Sequence, residues 1–227
     1  MNPLQSYACS CLIAALMGWS SAVVANTASG AVTYTDPREW NFQVYLNDDP
    51  IGFHNFRLNP EDGGYRLQTE AEFEVDFLFF TAYRYEHENV ETWRDGCLQR
   101  IESRTNDNGD EFQVVGNRED DEFDLDATGS NESLKADCVR TFAYWDLEKL
   151  KNNRLLNSQT GDYVNVNVER VGRETIQVNG QDVDAERYKV DAEDLDLDLW
   201  YSPAGEWLKL TSNVEEGRQL RYELRES

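Results

Sequence analysis

Apolar and polar residues alternate with a period of two along most of this chain, and that constrains its fold more than any other feature. In residues 65–75, Tyr65, Leu67, Ala71, Phe73 and Val75 fall on one side. Arg66, Gln68, Glu70, Glu72 and Glu74 fall on the other. Successive side chains of an extended chain point to opposite faces, so this is a strand with one buried face and one wet face. The pattern recurs at Trp40, Phe42, Val44 and Leu46, at Val164, Val166 and Val168, at Leu195, Leu197 and Leu199, and at Leu220, Tyr222 and Leu224. Turn chemistry falls between the runs: Asn47-Asp48-Asp49-Pro50, Asp62-Gly63-Gly64, Asn108-Gly109, Asn179-Gly180, Pro203-Ala204-Gly205 and Glu216-Gly217. Strands joined by short turns make an antiparallel meander, and about ten of them would curl into a half-barrel or barrel. The expected fold class is therefore all-β, a strongly curved antiparallel sheet with one short helix.

Two segments depart from the alternation. Residues 117–137 are acidic; Phe123 and Leu125 suggest a short strand there, and residues 128–133 read as a loop. In residues 141–157, Asp146 is placed to cap a short helix over residues 147–151, which Asn152 and Asn153 would end. The chain restarts as strand at Tyr163.

The first 25 residues read as an export signal. Residues 12–17 are apolar, and Val23-Val24-Ala25 offers small residues for cleavage after Ala25. The segment lacks Lys and Arg, so its positive charge is that of the amino terminus. The plainer alternative is an apolar N-terminal helix that stays attached. Cys9 and Cys11 precede the apolar run and so do not suit lipid attachment. The expected organisation is a signal peptide over residues 1–25 and a single β-rich domain over residues 26–227, located in the periplasm and not integral to the membrane.

Composition narrows the function classes. A net charge of −23 argues against nucleic acid, whose phosphates demand clustered Lys and Arg. It is compatible with simple solubility or with a cationic partner. Beyond the signal, Cys97 and Cys138 remain, and two cysteines in an oxidising compartment pair. Closing that loop of about 40 residues is worth about 4 kcal/mol in the chain-entropy model.

No local motif announces catalysis. A Gly-x-Ser-x-Gly elbow and a Gly-rich phosphate loop are both missing. His54 and His87 are the two histidines, both on expected strands. His87 and Glu91 share a strand face and could join His54 around a metal, but the plainer reading hydrogen-bonds both rings within the sheet. Asp124-x-Asp126-x-Thr128-Gly129 resembles the start of a Ca²⁺ loop, yet Lys135 occupies the position of its closing acid. No cofactor and no metal site are expected. The aromatics are more suggestive. The apolar run over residues 77–80 reads as a strand covered on both faces, or facing a cavity. An ordinary core under a helical lid and a cavity for an apolar ligand plugged by residues 141–157 both fit.

Several stretches resemble an uncharacterised family of exported proteins from Gram-negative bacteria, a domain of unknown function. They are Trp40-Asn41-Phe42-Gln43-Val44-Tyr45-Leu46, Ile51-Gly52-Phe53-His54-Asn55-Phe56, Tyr83-Arg84-Tyr85-Glu86-His87, Phe142-Ala143-Tyr144-Trp145-Asp146, and the ending Leu199-Trp200-Tyr201 with Leu220-Arg221-Tyr222-Glu223-Leu224. The resemblance implies a periplasmic location and a curved β architecture, and no activity. The leading expectation is a non-enzymatic binding or envelope-accessory protein holding an apolar or lipid-like small molecule in the concave face. Tyr83, Tyr85, Trp93 and Trp145 would line the site, with His54 and His87 as polar contacts. The alternatives are a hydrolase or isomerase using His54 and His87 in a cleft, and a structural partner of an envelope protein, marked by an exposed apolar patch.

Overall fold

The strands follow the alternation. In the computed structural model, residues 34–77, 80–193, 195–214 and 217–225 are described. An N-terminal meander comprises β1 (Arg38–Leu46), β2 (Asp49–Glu61), β3 (Gly64–Phe77), β4 (Phe80–Arg94), β5 (Cys97–Asp107), β6 (Asp110–Glu119), β7 (Glu122–Ala127) and β8 (Ser130–Leu134). A crossing segment follows, containing α1 (Leu147–Leu150) and the small pair β9 (Arg154–Leu156) and β10 (Tyr163–Asn165). A second meander closes the chain: β11 (Asn167–Val178), β12 (Gln181–Ala192), β13 (Leu195–Tyr201), β14 (Trp207–Asn213) and β15 (Gln219–Leu224). The signal-peptide reading falls on residues outside those described.

The two meanders join because β15 pairs antiparallel with β1, setting Val44 opposite Tyr222. The result is one antiparallel sheet of thirteen strands running β11 to β15, then β1 to β8. Its edges, β11 and β8, are not bonded to each other, so the sheet is open. Laid flat, twelve strand spacings would hold those edges about 58 Å apart. Yet Leu125 and Ala127 of β7 line the same cavity as Ala192 and Leu195 of β12 and β13. The sheet is therefore strongly curled, as the sequence reading expected.

The concave face is filled by the crossing segment. Val139, Ala143, Trp145, Leu150, Leu155 and Leu156 are all buried, packed with inward residues such as Phe42, Leu58, Trp93 and Trp207. Cys97 and Cys138 stand at disulfide distance, with Cα atoms 5.1 Å apart, and Leu98 N–H donates to the Val139 carbonyl beside them. This fastens the entry of the crossing segment to the start of β5. The segment's second half docks on β7 through Gly161, which has φ +86°. A Cβ there would stand 2.4 Å from the Ala127 Cβ, so only glycine permits the approach.

Asp146 caps α1 as expected, accepting from the Glu148 N–H at 3.0 Å. Two expectations need correction. Residues 128–133 are not a loop: Thr128 and Gly129 turn β7 into β8, an edge strand. Asp124 and Asp126 are then the outward positions of β7, between buried Phe123, Leu125 and Ala127, and form no cation-binding loop. The apolar run over residues 77–80 is not one covered strand. It spans the end of β3 and the start of β4, which set Phe77 opposite Phe80.

Candidate functional site

The inward positions of β4 are Tyr83, Tyr85, His87, Asn89, Glu91 and Trp93. Strand parity alone puts them on one face. Three of the six are polar, and all three are buried. The antiparallel register extends this polarity sideways. One row across the sheet reads His54, Ala71, His87, Thr105. The next reads Phe56, Thr69, Asn89, Ser103, and the next Leu58, Leu67, Glu91, Ile101. A polar stripe thus lies on the otherwise apolar concave face.

Above this stripe the crossing segment leaves a cavity of about 760 Å³. His54, Thr69, His87, Asn89 and Glu91 line it from the sheet, and Thr141, Phe142, Tyr144 and Trp145 from the crossing segment. The turn before β10 closes another side, held by Ser103 and Thr105, whose hydroxyls donate to the Ser158 and Gln159 carbonyls.

His54 and His87 share a row with the small Ala71 between them, so both reach the same cavity. His54 Nδ1 meets the Tyr222 hydroxyl at 3.2 Å, and its ring stacks on Phe56. His87 Nδ1 meets the Thr105 hydroxyl at 2.9 Å. Burial holds both rings neutral: it pushes His87 down to about 4, and His54 well below the ordinary histidine range with the nearby His87 adding to the effect. The neutral rings are hydrogen-bonded within the sheet.

Glu91 is 1 % exposed. Its Oε1 accepts from Asn89 Nδ2 at 2.9 Å, and its Oε2 accepts from Trp93 Nε1 at 2.8 Å and Thr141 Oγ1 at 3.2 Å. Burial raises its pKa against the opposing pull of these three hydrogen bonds. His87 and Glu91 do not share a metal: four residues along a strand separate their Cα atoms by about 13 Å. Among the described residues no group of His, Cys, Asp and Glu is arranged to hold a metal ion.

The sequence-derived site residues divide. His54, His87 and Trp145 line the cavity. Trp93 is fully buried beneath it, edge-on to Trp145 with centroids 6.0 Å apart. Tyr85 stacks on Phe73 at 5.1 Å, away from the cavity wall. Tyr83 is half-buried, and burial, with the Asp107 carboxylate nearby, raises its phenol. Thr69, Asn89, Ser103 and Thr105 escaped the sequence reading, although the parity of β4 marked Asn89.

Four buried side-chain atoms here find no protein partner: His54 Nε2, Thr69 Oγ1, Asn89 Oδ1 and Trp145 Nε1. All four belong to residues that line the cavity.

The profile of a domain of unknown function, DUF6134, matches residues 42–225. The chain belongs to that family. This agrees with the resemblance to a domain of unknown function read from the sequence. A search of curated proteins gives no match. Among solved structures, the chain is similar to a beta-barrel-like protein of another domain of unknown function, DUF1849, from Brucella abortus. The TM-score is 0.64 at 12 % identity, over 86 % of this chain and 98 % of that one. This likeness concerns the fold. No helix among the described residues is long and apolar enough to cross a membrane.

Proposed function

We propose that this DUF6134 protein is an exported, non-enzymatic binding protein that holds a small amphipathic molecule between its curved sheet and the crossing segment. Four residues lining one cavity each keep a buried polar atom without a protein partner, and this carries the reading. A buried donor or acceptor left unsatisfied costs about 1–3 kcal/mol. A ligand that meets several of them recovers that cost, and its apolar body fits against Phe56, Leu67 and Phe142. The ligand is thus more polar than the lipid-like molecule expected from the aromatics alone. Binding rather than catalysis is favoured because, among the described residues, the rings of His54 and His87 meet hydroxyls and no carboxylate that would orient them as bases, and Glu91 is engaged by Asn89, Trp93 and Thr141. A structural-partner role finds less support: Val171 is the large apolar side chain that stands exposed among the described residues. The periplasmic location rests on the apolar N-terminal run and the Val23-Val24-Ala25 site.

Native mass spectrometry of protein purified without detergent tests this. A small-molecule adduct should survive gentle ionisation and disappear on denaturation. Thr69→Val and Trp145→Phe, each removing one unpartnered atom, should weaken its retention. An adduct-free wild-type spectrum, with both variants as stable as wild type, would count against the proposal.

A further inference from the structure

We propose that the cavity ligand carries a cationic amino group, received by the Glu91 carboxylate and the Asn89 amide oxygen. The inference rests on the cavity-binding reading above and adds the ligand's chemical class.

Glu91 lies on the cavity wall with three protein donors, and all three are neutral. No Lys or Arg among the described residues forms an ion pair with it. A carboxylate removed from water needs a counter-charge or takes up a proton, because hydrogen bonds from neutral groups do not cancel its charge. When ionised, Glu91 therefore lacks one positive charge in this site.

Geometry locates where that charge would sit. A carboxylate offers about four acceptor sites, two on each oxygen. Oε2 uses two, on Trp93 and Thr141, while Oε1 uses one, on Asn89. The open site is on Oε1. The same contact fixes the Asn89 amide, since turning its oxygen toward Glu91 would face acceptor against acceptor. With its nitrogen spent on Glu91, Asn89 is left with Oδ1 buried and unpartnered. Thr69, paired with Asn89 across the strands, adds an unpartnered Oγ1. Three adjacent side chains thus present acceptor capacity. An ammonium supplies three donors and no acceptor. A hydroxyl supplies one donor and leaves the charge uncompensated, and a carboxylate would be repelled.

The surroundings agree. His54 and His87, which line the same cavity, are held neutral by burial and do not compete with a bound cation. The net charge of −23 draws cations toward the protein. The fold already accommodates one buried ammonium nearby. Lys149 lies over the rings of Trp145, Trp93 and Tyr65 and pairs with Asp146.

The test is calorimetric titration of the purified protein with three size-matched probes: hexylamine, hexanol and hexanoate. At pH 8 hexylamine should bind at least about tenfold (about 1.4 kcal/mol) more tightly than hexanol, since its hydrogen bond to Glu91 is charge-assisted and that of hexanol leaves the charge uncompensated. Hexanoate should bind most weakly. Within Glu91→Gln, hexylamine should fall to the affinity of hexanol. In the wild-type protein, hexylamine alone should weaken as pH falls and Glu91 takes a proton. The other titratable or charged groups about the cavity among the described residues are His54, His87, Tyr144, Tyr163, the Asp146–Lys149 pair, and exposed Arg154, Asp162 and Glu193. All of these remain in Glu91→Gln, so a pH response that persists in that variant does not come from Glu91 and overturns the assignment. Equal binding of hexanol and hexylamine, unmoved by Glu91→Gln, overturns the cationic ligand while the cavity reading stands. No binding of any probe overturns both. Should Glu91→Gln fail to fold, the wild-type pH series and Asn89→Leu decide in the same terms.

Discussion

Mild acid should destabilise this protein, and His87 should account for much of the loss. The ring is 3 % exposed, and burial holds it at about 4 against an ordinary 6.5. Because the folded value is the lower one, the unfolded chain binds more protons between the two. The stabilisation is therefore complete above about pH 6.5 and drains away as pH falls through 4. The gap corresponds to about 3 kcal/mol. His54 acts in the same direction. Glu91 acts in the opposite one: its raised pKa favours the folded state as the carboxyl takes up a proton. His87→Asn separates these effects. Asparagine keeps a polar atom near the Nδ1 position for the Thr105 hydroxyl but does not titrate. Urea denaturation followed by tryptophan fluorescence, repeated from pH 7.5 to 4, should show the variant losing about 3 kcal/mol less than wild type over the acid range. Parallel stability curves for the two proteins would refute the claim that His87 is buried in its neutral form.

Three further outcomes follow from the packing. Replacing Cys97 and Cys138 by serine should cost about 4 kcal/mol, from a 41-residue separation, and reductant should reproduce the urea-midpoint shift in wild type but not in the variant. Gly161→Ala should destabilise by about 1–3 kcal/mol through its left-handed backbone and its approach to Ala127; adding Ala127→Gly should restore the steric part, measured as recovery of Tm. Lys149→Met should cost about 3–5 kcal/mol by leaving the Asp146 charge buried and unpaired. Adding Asp146→Asn should recover part of that in equilibrium unfolding, because asparagine still caps α1.

The strands were legible because their physics is local. Alternation at residues 65–75 and the Asn-Gly turns at 108–109 and 179–180 each act over a few residues, and all three sit in β-hairpins here. The helix start was legible for the same reason, since Asp146 caps from within its own turn. The edge strand β8 was missed because it carries polar residues where a loop would. The cavity needed information from distant parts of the chain. Thr69 and Asn89 are opposite each other only through the β3–β4 register, and the closing wall comes from the crossing segment. Tyr85 and Trp93, toward which the aromatics point in the sequence, pack beside and beneath the cavity. The polar inward positions of β4, Asn89 and Glu91 among them, line the cavity. A polar residue on an inward strand position must find a partner, and that need is readable from parity alone.

A crystal structure of protein purified from its native source without detergent tests the central claim most directly. The expected result is continuous non-protein density in the cavity between β4 and the crossing segment, in contact with Asn89 Oδ1 and Thr69 Oγ1 and bonded to Glu91. A cavity closed by Phe142 and Trp145, or holding only isolated waters on those atoms, would contradict it.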